Sequence, residues 1–314
     1  METAPNAPLA VETAPRRRRR GIAPFYWFIA PWLIIFVLLG IAPLLWGLYL
    51  SFTDFSGFNL GNLAYLGLEN YIQVFTAGSG AISSLLQTLK ITALFVPISI
   101  VVGLGLAVLV NRPSRLSGLF RILFYLPSVL PPVIAGLIWR TIYAQQGGLI
   151  GLVLGRLGLP PVNFLGYSLA LFSLMIMLAW GSGIALMIYL SALRTIPRPY
   201  YEAAQVDGAS PIQQFFRITL PLLTPQIFFN LVINLIAGIQ IMAQPLLLTP
   251  SQNGLITQPI APLTTIVINA WLQMFANAQF GYGMALIWVL FLVLLVLTLL
   301  VFWSSRYWVR YYGG

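Results

Sequence analysis

From Ile218 to Ser305 the chain carries not one Asp, Glu, Lys or Arg. A soluble domain does not keep so long a stretch free of charge, because an exterior in water uses about 25% charged residues. Across all 314 residues 7% are charged and 59% are hydrophobic, so most of the folded surface must face lipid. Crossing a hydrocarbon core of about 30 Å at 1.5 Å per helical residue takes about 20 predominantly apolar residues. Six runs meet that demand: Phe25 to Leu50, Ile91 to Val110, Ile122 to Trp139, Leu169 to Leu193, Leu222 to Leu248 and Gly283 to Ser305. The fold class expected is an all-α integral membrane protein of six transmembrane helices. Ile260 to Phe275 is too short for a seventh and carries Pro262, Asn269 and Gln273, so it reads as an amphipathic or re-entrant outer segment.

The formal charge of +10 follows the topology of these spans and gives no sign of nucleic acid. With both termini inside, thirteen of the sixteen basic residues fall on inner segments and only Lys90, Arg140 and Arg156 fall outside. That is the positive-inside bias expected of an N-in, C-in membrane protein. Residues 1–20 are expected to form a disordered basic cytoplasmic tail whose five arginines, Arg16 to Arg20, anchor the first span, and residues 21–314 one transmembrane domain. Aromatic residues at span ends, such as Tyr26, Trp27, Trp139, Tyr143, Tyr307 and Trp308, fit interfacial anchoring. Pro127, Pro131 and Pro132 are expected to kink or break the third span.

Without a single cysteine or histidine, the chain has no side chains for a zinc or haem site and no Cys/His nucleophile. Its one lysine, Lys90, follows Leu89 and not a glycine, so no phosphate-binding G-K-[ST] loop exists. Any ATP that drives the protein is bound and hydrolysed by another subunit.

The most informative segment lies between spans four and five, residues 194–221. Pro197 and Pro199 precede a helix-compatible run from Tyr200 to Val206, and Gly208 can take the left-handed conformation that closes it. Ser210 then offers an N-cap, Pro211 occupies the first helical position, and Gln213 completes a capping box. The expectation is a helix, a turn and a second helix. Glu202-Ala203-Ala204, Gly208, Ile218, Leu220 and Pro221 also reproduce E-A-A, three residues, G, nine residues, I-x-L-P.

That pattern resembles the cytoplasmic signature of permease subunits of binding-protein-dependent ABC importers. Leu48 to Asp54, Gly67 to Tyr71 and Gly158 to Gly166 are similar to the sugar branch of that family, closest to a maltose or glycerol-3-phosphate type first permease subunit. Thr249 to Gly254 departs from the Gly-Gly-Pro turn common there. The resemblance implies an ATPase-coupling segment made of Glu202, Ala203, Ala204, Asp207, Gly208, Ala209, Ile218, Leu220 and Pro221. Glu202 would meet a basic residue of the ATPase, the two alanines would permit close approach, and Gly208 would set the angle between the short helices. It implies these partners: a second, homologous permease forming a heterodimer, two cytoplasmic ATPase subunits carrying ATP and Mg²⁺, and an extracytoplasmic substrate-binding protein. No cofactor is expected in this chain, and no catalytic role.

In span five, Asn230, Asn234, Gly238 and Ile241 are spaced four, four and three apart, with Gln244 three further on, which puts them on one face of an unbroken helix. Amides in hydrocarbon must face protein or water, so the stripe reads either as hydrogen-bonding glue between helices or as the wall of a path. By the resemblance this stretch lines the sugar route, adding Ala237 from the same span and Trp180, Gly181 and Ile184 from span four. No carboxylate, lysine or arginine lies in the middle of any expected span, which favours a neutral carbohydrate as cargo. A glycerol-phosphate-type polyol is the alternative cargo, and a secondary transporter or channel the alternative class.

Overall fold

The computed structural model describes residues 23–58, 61, 63–112, 114–249 and 259–310. The basic tail expected over residues 1–20 lies outside them, as does all of the Thr249 to Gly254 turn but its first residue. Among the described residues the chain is helical, with one isolated bridge between Thr53 and Tyr65 and no strand. It divides between Gly47 and Leu48 into two compact units.

The first unit is an apolar helical run. Helix α1 (Ala23–Ile35) passes through a π-helical turn at Phe36–Ile41 into α2 (Ala42–Leu50). The wide turn ends just before Pro43, whose ring would otherwise meet the carbonyl one turn back, and the Ala42 N–H reaches the Val37 carbonyl instead.

The second unit begins at Leu48, in the last turn of α2, and continues into a turn at Ser51–Thr53 that α3 (Glu69–Phe75) holds in place, since Asn70 Nδ2 donates to the carbonyls of Ser51 at 2.9 Å and Thr53 at 2.8 Å. Helix α4 (Ala81–Asn111) follows and is 31 residues long. At 1.5 Å per residue that is about 46 Å, well beyond a hydrocarbon core of about 30 Å. Judged by charge alone, this span is expected to begin at Ile91, with Lys90 on the outer segment before it. The helix in fact starts ten residues earlier, and Lys90 lies on it.

Helices α5 (Ser117–Val129) and α6 (Pro132–Tyr143) meet at 103°. The break falls at Leu130–Pro131, where two consecutive prolines lack the N–H a continuing helix needs, while Pro127 is accommodated inside α5. After the short α7 (Leu149–Arg156), α8 (Ala170–Trp180) and α9 (Gly183–Thr195) meet at 44°. Then come α10 (Arg198–Val206), α11 (Pro211–Gln214), a π turn at Phe215–Thr219, α12 (Leu220–Leu222) and α13 (Thr224–Ile239). The α11–α12 stretch meets α13 at 65°. The chain ends through α14 (Ala243–Leu247), a 3₁₀ turn at Ala261–Leu263, α15 (Ile266–Phe275) and α16 (Phe280–Trp308).

Among the described residues three helices, Tyr26–Leu50, Ala81–Asn111 and Phe280–Trp308, are long and apolar enough to cross a membrane, and three bent pairs qualify when each pair is taken together. At 10 residues α15 is about 15 Å long and cannot cross. It packs on protein instead: Ile266, Ile268, Asn269 and Ala270 are buried, and the Ile266 N–H donates to Thr88 Oγ1 of α4 at 2.9 Å.

Helix α4 is the spine of this unit, packing against α8, α9, α13 and α15. Its closest neighbour is α9: a Cβ on Gly103 would come within 2.6 Å of the Ala185 methyl. The two ends of the unit have separate cores. Ile239, Ile266, Tyr282 and Leu286 cluster with Ala81, whereas Leu186, Tyr189, Leu190 and Leu223 cluster with Leu104 and Ala107. Between them Ile91 joins a third core with Tyr143 and Leu174. Trp139 and Tyr143, expected at an interface, belong to this middle core: Tyr143 is buried, and its hydroxyl donates to the Ser173 carbonyl at 3.1 Å.

Candidate functional site

The segment between α9 and α13 is built from local rules. Helix α10 starts at Arg198, two residues before the expected Tyr200, with Pro199 in its first turn. Gly208 ends it with φ +77°, and the Ala209 N–H donates to the Ala204 carbonyl at 2.8 Å while the Gly208 N–H reaches Gln205 at 3.0 Å. This paired return satisfies carbonyls that the last helical turn leaves open. Ser210 Oγ accepts from the Gln213 N–H at 3.3 Å, and Gln213 Oε1 accepts from the Ser210 N–H at 2.8 Å, so the expected capping box is formed. A contact of 2.9 Å between the Tyr201 and Thr219 hydroxyls ties the two legs together.

The hairpin is rigid in itself and open outward. Glu202, Ala203, Asp207 and Gly208 are exposed, Ala204 and Ala209 half-buried. Val206, Ile212 and Phe216 are 88%, 71% and 60% exposed, an apolar surface beside two carboxylates. Its root is firm: Leu220 packs on the core of Leu104, Ala107, Tyr189 and Leu223, and Ile218 and Pro221 are half-buried. A force applied at the tip therefore reaches α4, α9 and α13.

A cavity of about 340 Å³ lies further along α4, beside Phe95 and Ser99. It gathers Trp180, Gly181 and Ile184 from the α8–α9 bend, Asn230, Asn234 and Ala237 from α13, and Gln244 from α14. Leu130, Pro132 and Ser182 also face it, so the breaks α5–α6 and α8–α9 both open onto the same space. Irregular backbone at membrane depth is tolerated where it lines a cavity, and that is the arrangement here. No charged side chain lines it. Ser182 Oγ, Asn234 Nδ2 and the nearby Gln226 Oε1 are buried without a hydrogen-bond partner in the chain, whereas Asn230 Nδ2 donates to the Gln226 carbonyl at 3.1 Å. Trp180 lies across the Trp139 ring, centroids 5.7 Å apart at 77°. The surface offers amides, hydroxyls and an indole.

Two residues expected on this wall do not stand on it. The sequence count ran one helix through Gln244, but α13 stops at Ile239 and the chain breaks before α14. Ile241, in the break, is buried in the middle core, and its carbonyl accepts from Thr265 Oγ1 at 3.0 Å. Gly238 is a packing residue: a Cβ there would come within 3.0 Å of Thr92 and 3.2 Å of Phe95. Gln244 reaches the cavity from its own short helix. Conversely, Phe95, Ser99, Leu130 and Ser182 were not singled out from the sequence, although Pro131-Pro132 did mark where the break would fall.

Comparison with known proteins agrees with this geometry. Residues 99–311 match the family described as "Binding-protein-dependent transport system inner membrane component". A probable ABC transporter permease protein of Bacillus subtilis is 33% identical over 290 residues, covering 91% of each chain. The sulfoquinovosyl glycerol transport system permease protein of Agrobacterium fabrum is 34% identical over 273 residues, 86% of each chain. Among solved structures, a chain of a bacterial alginate ABC transporter, crystallised with its alginate pentasaccharide-bound periplasmic protein, has the same fold, with a TM-score of 0.78 at 24% identity over 90% of this chain and 94% of that one. With the family model covering most of the chain and the relatives nearly all of it, this protein belongs to the inner membrane components of binding-protein-dependent transport systems, and is a permease subunit.

Proposed function

We propose that this chain forms, with a second homologous permease, the translocation path of an ATP-driven carbohydrate importer, and that α10 and α11 are the element its ATPases grip. In this reading each bent helix pair is one crossing, giving six spans, and the distribution of arginines supports cytoplasmic termini. The observation that carries this reading is the hairpin: a capped, exposed helix pair rooted in three spanning helices is what a soluble motor needs in order to move a membrane domain. In this reading two ATPase subunits bind ATP and Mg²⁺, Glu202 pairs with a basic group on one of them, Ala203 and Ala204 allow contact, and a binding protein delivers cargo from outside.

The cargo class is supported by the charge-free cavity and by the Agrobacterium relative, whose name mentions sulfoquinovosyl glycerol. Asn230, Asn234 and Gln244 suit sugar hydroxyls, and Trp180 suits a ring face. This supports a neutral carbohydrate body within the cavity.

The test is recovery of the chain from mild detergent with its associated subunits. The expected result is an ATPase and a second permease with the wild type, loss of the ATPase with Glu202→Lys, and normal membrane insertion of both. A wild-type chain that purified alone and stable would overturn the proposal.

A further inference from the structure

A second cavity, of about 580 Å³, opens at the N-terminal end of α4, where the helix outlasts the hydrocarbon. Its volume falls in the usual range for ligand pockets. Four polar residues make one wall as a connected relay. Asn277 Nδ2 donates to Gln273 Oε1 at 2.9 Å, Gln273 Nε2 to Asn269 Oδ1 at 3.3 Å, and Asn269 Nδ2 to Ser84 Oγ at 3.1 Å. Asn269 and Ser84 are 8% and 2% exposed, so the base of the relay is fixed within the protein. Gln87 Nε2 donates to the Pro262 carbonyl and pins the opposite rim.

Each amide nitrogen of the relay has spent only one of its two hydrogens, and the amide oxygens of Asn269 and Gln273 each keep a second lone pair, so the wall offers both donors and acceptors. Lys90, the one lysine of the chain, lies on the same lining, and no carboxylate does. A wall of amides suits hydroxyls, and an ammonium on a lining without an acid suits a negative charge beside them.

We propose that this cavity is a subsite for the acidic substituent, a carboxylate, sulfonate or phosphate, of a hydroxyl-rich cargo, with Lys90 as counter-charge and the Asn269–Gln273–Asn277 relay as an amide wall for the neighbouring hydroxyls. It rests on the importer reading and refines the cargo to a neutral sugar body that bears one acidic group. On the proposed topology this subsite faces outside, where charge is read before the sugar body enters the charge-free cavity.

The experiment uses the purified transporter complex in phosphatidylcholine nanodiscs, with D-glucuronate as the probe and neutral D-glucuronamide as control, observed by saturation-transfer difference NMR. Glucuronate should give signal and the amide little. Lys90→Gln should weaken glucuronate binding about tenfold, the scale of losing one charge-assisted partner, and Lys90→Arg should restore most of it. Co-purification of the associated subunits with each variant confirms that the fold is intact. Glu202→Lys, which removes the ATPase, should leave the glucuronate signal in place, so failure of the coupling proposal is read separately. Equal signals from the two probes, or no response to Lys90→Gln, would overturn the proposal. Loss of the glucuronate signal when phosphatidylglycerol is added to the nanodisc would also overturn it, by assigning the site to a lipid headgroup.

Discussion

Asn234 has a side-chain nitrogen that is buried and makes no hydrogen bond within the chain. Leaving a buried donor unmatched costs about 1–3 kcal/mol, and a residue kept only for stability would not carry that cost. Asn234→Leu therefore separates the two readings of the amide stripe. If Asn234 serves the path, the leucine variant should hold or gain thermal stability, by up to about 1 kcal/mol, while uptake of the cargo falls severalfold. If it is interhelical glue, the variant should melt earlier, which thermal unfolding of the purified complex would show. Four residues along α13, Gly238 predicts the opposite pattern. Thr92 and Phe95 leave no room for a larger side chain there, so Gly238→Val should prise α13 from α4 and lower stability by about 1–3 kcal/mol, with loss of uptake following from loss of fold. The sequence put both residues on one face, and both are on α13. Which of them meets a cavity and which meets a neighbouring helix depends on α4, more than a hundred residues away in the chain.

At the scale of elements, what was legible in the sequence is what short-range chemistry controls. Ser210, Pro211 and Gln213 lie within four residues, and Gly208 needs no tertiary partner to adopt φ +77°. The hairpin could therefore be read before any contact was known. The ends of long helices could not, because charge marks the membrane boundary and not the helix boundary: α4 runs nine residues past Lys90 toward its N-terminus because α15 and the polar cavity line its projecting end. Likewise the break after Ile239 carries no proline or glycine pair, and follows from the Ile241 carbonyl and side chain being claimed by the middle core. The hairpin yields a graded prediction. A Cβ at Gly208 would touch nothing within 4 Å, so Gly208→Val introduces backbone strain alone, about 1–2 kcal/mol. Ser210→Ala removes only the cap, about 1 kcal/mol. Both should reduce the ATPase recovered with the chain, the glycine variant more, while the amount of chain in the membrane stays unchanged. Equal ATPase recovery across both variants and wild type would show that the rigidity of the hairpin is irrelevant to coupling.

Over the whole molecule, α4 orders the parts. The amide-lined cavity meets it at Ser84 to Lys90, the charge-free cavity at Phe95 and Ser99, and the core beneath the hairpin at Leu104 to Val110. From Ser84 to Leu104 is about 30 Å along the helix axis, the thickness of the hydrocarbon core. In the proposed topology these two ends lie on opposite sides of the membrane, with the hairpin inside. A chain without cysteine allows this to be tested with single introduced thiols and no background. Ser83 and Gln205 are both exposed, one at the amide-lined cavity and one on α10. Ser83→Cys should react with a membrane-impermeant maleimide added to intact spheroplasts, whereas Gln205→Cys should react only after the membrane is permeabilised. The reverse pattern would invert the topology and place the hairpin outside, beyond reach of any cytoplasmic ATPase. Reaction of both thiols in intact spheroplasts would mean that α4 does not separate the two aqueous phases, and six crossings could not stand.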